Sequence, residues 1–77
     1  MLVFNKKRAM EEFYNKHKKF LYWYLTKHTK LPEKLYYLLM QYIVECLIDD
    51  VGKLVRLDEQ EQRRWIMNQV NDFTTKE

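Results

Sequence analysis

Glycine, proline and cysteine occur once each in these 77 residues, as Gly52, Pro32 and Cys46. A single cysteine excludes an intramolecular disulfide. It lies in the most apolar part of the chain, where a free thiol behaves as a small hydrophobe. That usage suits a reducing cytosol, and a cytoplasmic location is expected. The shortage of turn-formers, beside abundant Leu, Lys, Glu, Gln and Met, favours helix over strand and places the chain in the all-α class. Long apolar runs are missing too. The longest, from Leu35 to Ile48, is interrupted by Gln41 and Glu45 and falls short of the roughly 20 residues of a membrane span. Met1, Leu2, Val3 and Phe4 are too few for an export signal, and Lys6, Lys7 and Arg8 follow them instead of preceding them.

Catalytic patterns are equally scarce. There is no activated serine, no cysteine–histidine partnership and no glycine-rich phosphate loop. His17, His28 and Cys46 stand on different predicted elements, with no His/Cys pair at i,i+3 or i,i+4, so neither a metal nor a cofactor is expected. Glu45, Asp49 and Asp50 form the one acid cluster on the apolar segment. A catalytic carboxylate pair needs a pocket and perturbed protonation, whereas a helix needs a solvated stripe. The second role is expected of them, and no enzymatic activity is expected of the chain.

What the sequence does have is apolar surface, aromatic rings and a lopsided charge. Lys and Arg number 14 against 11 Asp and Glu, for a net charge of +3. Residues 1–30 carry +6, residues 31–57 carry −1 and residues 58–77 carry −2. A basic N-terminal third attracts nucleic acid, anionic lipid or an acidic protein.

The spacing predicts three helices in one domain spanning residues 1–77, with loose ends at 1–5 and 74–77. The first runs over about 6–26, capped by Asn5. Met10, Phe13, His17, Phe20 and Tyr24 recur at spacings of three and four, a heptad-type seam. His17 is expected as a hydrogen-bonded member of that seam, and Glu12 with Lys16 as an i,i+4 pair. Lys7, Lys18 and Lys19 fall away from it. The second helix runs over about 32–56, with Pro32 in its first position and a possible kink at Gly52, the residue that costs about 1 kcal/mol relative to Ala in a helix interior. Its polar residues, Lys34, Gln41, Glu45, Asp49, Lys53 and Arg56, draw one narrow stripe. The third helix runs over about 59–73. Asp58 and Glu61 read as a capping box, Glu59 with Arg63 as an i,i+4 pair, and Ile66, Val70 and Phe73 as its inner stripe.

A helix apolar on nearly every side is a buried helix. Two neighbours, each offering one stripe, leave part of the second helix uncovered. The expectation is therefore a symmetric helical-bundle homodimer formed through that central helix. The function expected is that of a small binding or regulatory protein acting through protein–protein contacts, with a further protein partner. Large amphipathic or apolar side chains, Tyr22, Trp23, Tyr36, Tyr37, Ile43 and Leu47, are the expected contacts. The alternative is nucleic-acid binding through the first helix, with Lys7, Arg8, Lys16, Lys18, Lys19 and Lys27 on phosphates and aromatic rings between them. Lysine outnumbers arginine there, so base reading is poorly provided for, and no helix-turn-helix signature is present. A basic helix with an aromatic face can also lie on an anionic membrane, a partner disfavoured because its aromatic end is better used in packing.

Overall fold

The computed structural model of the chain describes residues 4–76. The expected loose lead at residues 1–3 and the last residue lie outside that range. Three helices pack against one another: α1 (Lys6–His28), α2 (Tyr36–Leu54) and α3 (Glu59–Lys76), with a single 3-10 turn (Glu33–Leu35) leading into α2. The all-α reading holds, and each helix has local causes for its bounds. Asn5 caps α1 by accepting from the Arg8 N–H at 3.1 Å. α1 then runs one half-turn past the expected residue 26, because the Thr29 hydroxyl donates to the Leu25 carbonyl at 2.7 Å and Lys27 and His28 suit the negative end of the helix dipole.

The start of α2 is corrected from Pro32 to Tyr36. Pro32 holds an extended backbone, φ −59° and ψ 139°, and its carbonyl accepts from the Leu35 N–H at 2.9 Å. That tighter 3-10 bond opens the segment. α2 continues through Gly52 without a break and ends at Leu54, two residues before the expected 56. Arg56 and Leu57 N–H groups close back onto Lys53 and Leu54, which frees Asp58 to cap the next helix. The Asp58 carboxylate accepts from the Glu61 N–H at 2.8 Å. α3 outruns its expected end at 73, and Thr74 and Thr75 are helical rather than loose: both hydroxyls donate to the Asn71 carbonyl, at 3.1 and 2.7 Å, and Phe73 lies against Tyr42 with ring centroids 5.6 Å apart.

The core runs along the common axis. Phe13, Leu21 and Leu25 come from α1, Leu39, Ile43, Leu47, Val51 and Leu54 from α2, and Trp65, Ile66 and Val70 from α3. The inner face of α1 is thus centred on Phe13, His17, Leu21 and Leu25, with the expected seam residues Met10, Phe20 and Tyr24 half-buried beside it. Polar side chains tie the helices at fixed points. The Trp65 indole N–H donates to Asp50 at 2.9 Å, and the Tyr24 hydroxyl donates to Asn71 at 3.1 Å. Gln62 joins all three helices. Its amide nitrogen donates to the Leu54 carbonyl at 2.8 Å and the Leu57 carbonyl at 3.3 Å. Its oxygen is left to accept from His17 Nε2, 2.7 Å away. Gln62 thus adds a second donor to the Leu54 carbonyl at the end of α2, which also accepts from the Leu57 N–H, and meets the Leu57 carbonyl of the connecting turn.

Candidate functional site

The side of each helix that remains outside the core decides what the molecule offers. On α2 the inner stripe is Leu39, Ile43, Leu47, Val51 and Leu54. Ile43 and Leu47 are only 5% and 3% exposed, so their expected place on an outward contact surface is corrected: α1 and α3 both pack where they stand. The apolar residues that do face outward are Tyr37, Val44, Ile48 and Val55, together with Leu38. Tyr37, Val44, Ile48 and Val55 follow one another at spacings of seven, four and seven and therefore share one stripe. Sequence reading passed over the last three. Their signal was present, since they flank Gln41 and Gly52 and so belong to the outer half of the wheel. Tyr36 is half-buried, edge-on to Tyr22 with centroids 6.3 Å apart.

Beside that stripe an apolar groove of about 270 Å³ opens between α1 and α2. Its floor is the core itself, at Phe13, Leu21, Ile43 and Leu47, and Tyr14 and Val44 belong to its lining. The bundle is therefore open along one seam. His17 also lines it. Because both Gln62 amide hydrogens are used on the Leu54 and Leu57 carbonyls, His17 Nε2 carries the hydrogen of that pair, and its buried Nδ1 has no partner among the described residues.

α1 presents a different surface to solvent. Tyr14, Lys18, Lys19, Tyr22, Trp23 and Thr26 line one shallow concavity of about 560 Å³. It joins two sets of residues that the sequence kept apart, the aromatic contacts Tyr22 and Trp23 and the cations Lys18 and Lys19. Trp23 is held between Phe20 and His28, at centroid distances of 5.9 and 4.9 Å. Lys7, Lys16 and Lys27 are exposed elsewhere on α1. Arg8 is exposed but paired, its Nε 3.2 Å from Glu12, so Glu12 meets Arg8 rather than the expected Lys16. The second ion pair among the described residues is the expected Glu59–Arg63, at 3.1 Å. Arg63 also sits 5.0 Å over the Phe20 ring, which adds a cation from α3 at the margin of the aromatic cluster of α1.

The carboxylates do not converge. Glu45 and Asp49 are exposed, while Asp50 accepts from Trp65. Cys46 is half-buried. Burial above all, and then Asp50, Asp49 and Glu45, push its thiol above the ordinary value, against a hydrogen bond with Tyr42 that lowers it. Among the described residues no group of three His, Cys, Asp or Glu side chains is placed to hold a metal ion, and no helix is long and apolar enough to cross a membrane. No protein-family model matches the chain, and no curated protein or solved structure is significantly similar to it.

Proposed function

We infer that the protein is a non-enzymatic binding protein that acts through protein–protein contacts and pairs with a second copy of itself along the open side of α2. The carrying observation is surface left uncovered. A compact monomer of 9.7 kDa exposes roughly 5,100 Å², and this chain exposes 5933 Å². The excess, roughly 800 Å², belongs to an elongated bundle of 46 × 21 × 19 Å. The radius of gyration, 12.8 Å, likewise exceeds the roughly 11.5 Å of a compact chain of this length. What is uncovered on α2 is apolar: Tyr37, Val44 and Ile48 share one exposed stripe, and Val44 also lines the groove; exposed apolar patches mark contact sites.

The test is the mass in solution at micromolar concentration, with Ile48→Glu as the probe. Ile48 is 43% exposed, so the substitution leaves the bundle core untouched and removes only the paired surface. A dimeric mass that becomes monomeric in Ile48→Glu is expected, with helicity unchanged by circular dichroism. A monomeric mass for the unsubstituted chain across the range sinks the reading.

A further inference from the structure

We propose that the outward concavity of α1 binds single-stranded nucleic acid, stacking bases on Trp23 and Tyr22 while Lys18 and Lys19 hold phosphates. This surface lies on α1 and shares Tyr14 and Lys18 with the groove beside the α2 stripe, but Lys19, Tyr22 and Trp23 stand outside that groove. The rings of this surface stand largely outside the core: Tyr22 is 57% exposed and meets Tyr36 only edge-on, and Trp23 is 49% exposed. Yet Trp23 is not loose. Phe20 and His28 flank its ring, and the Thr26 hydroxyl donates to its carbonyl at 3.1 Å. A platform fixed before its ligand arrives loses little freedom on binding.

The cations are unspent as well. The two ion pairs of the described residues are Arg8–Glu12 and Glu59–Arg63, so Lys18 and Lys19 have no carboxylate partner, and no acid lines the concavity. Lys16 and Lys27 are exposed elsewhere on the same helix and add to its positive field without lining the concavity. Lysine grips phosphate as a point charge and lacks the planar fork that reads base edges in a duplex. Exposed rings beside lysines are the combination that follows a single strand with little regard to sequence, since every base has a π-face to stack. An acidic protein would engage the lysines but has no need of flat rings. An anionic membrane would ask for an apolar face, and here lysines stand among the rings.

The experiment uses the full chain and a fluorescent oligothymidylate of about 20 nucleotides, with binding read by anisotropy from about 50 to 200 mM salt. Binding is expected, weakening with a log–log salt slope of about −0.7 per phosphate neutralised. Lys18→Glu with Lys19→Glu should abolish it. Trp23→Ala should weaken it by about 5- to 100-fold with helicity unchanged. Trp23→Leu keeps an apolar side chain and removes the π-face, so it should weaken binding to the same extent and decides the matter if the alanine variant fails to fold. Absence of binding at the lowest salt overturns the proposal. So does unchanged affinity in a folded Trp23→Leu protein, and so does tighter binding to polyglutamate or to phosphatidylserine vesicles than to the oligonucleotide.

Discussion

Gln62 performs at the scale of one side chain what a longer protein spreads over several. It meets the Leu54 carbonyl at the end of α2 and the Leu57 carbonyl of the following turn, and fixes the hydrogen of His17 on Nε2, in a place where it is only 6% exposed. Removing it strands polar groups in the interior, and each such group costs about 1–3 kcal/mol. Gln62→Ala should therefore destabilise the fold by about 2–4 kcal/mol in denaturant unfolding, whereas the exposed Gln60→Ala should change it by less than about 0.5 kcal/mol. Cys46 and Tyr42 both hold their protons more tightly in the folded chain. Burial raises the Cys46 thiol from its ordinary 9.0. Burial, ahead of Cys46 and Asp72, raises the Tyr42 hydroxyl from 10.0. A proton held more tightly in the folded state stabilises it fully below the ordinary value, and that contribution is lost as pH climbs through the raised one. Stability measured by denaturant midpoint should accordingly fall as pH rises from 9.0 upward, and Tyr42→Phe with Cys46→Ala should flatten the decline. His17 was legible in the sequence as a hydrogen-bonded seam residue, and the structure partners its Nε2 but not its Nδ1. The Nε2 partner was not legible, because a glutamine 45 residues away carries no local signal.

At the scale of the element, the three helices were legible because period and caps agree. Asn5 and Asp58 both accept from the third residue of their helices, as their positions ahead of apolar periods foretell. The bounds were less legible where two local rules compete. Pro32 suits a first helical position, but a 3-10 turn uses it as well. The threonines at 74 and 75 lower helix propensity, yet their back-bonded hydroxyls keep the turn. Ile43 and Leu47 show a third kind of miss. Counting apolar residues on α2 says only that there are too many. The direction comes from their place on the wheel, opposite Glu45 and Gly52, which puts them inside. Gly52 offers an element-scale test. Its φ is not positive, and nothing lies within 4 Å of where a Cβ would stand. Alanine fits there without strain, lowers the entropy of the unfolded chain and has the better helix propensity. Within a single chain, Gly52→Ala should raise stability by about 0.4–1 kcal/mol, seen as a higher denaturant midpoint at unchanged slope.

At the scale of the whole molecule the two exposed surfaces differ in kind, and they answer to different variables. The α1 concavity is cationic, so an anionic ligand held there should weaken as salt rises. The α2 stripe is apolar, with Tyr37 63% and Val44 42% exposed, so pairing through it should rise with protein concentration. The sequence made the surplus of apolar surface legible but not its position, because that depends on which sides α1 and α3 cover. If the surplus is closed by a second copy, folding and pairing are linked. The folded dimer is favoured over unfolded chains by mass action, and the melting temperature rises with protein concentration. A monomer melts at one temperature whatever its concentration. The unsubstituted chain should therefore melt higher at each tenfold increase in concentration, while Ile48→Glu and Val44→Glu melt at a constant, lower temperature with the same helical signal. Ile43→Glu is the wrong probe for this purpose. Its side chain lies in the core of the single chain, so a charge there unfolds the bundle whether or not a partner exists. A melting temperature independent of concentration in the unsubstituted chain would mean that the apolar stripe of α2 is served by something other than its own copy.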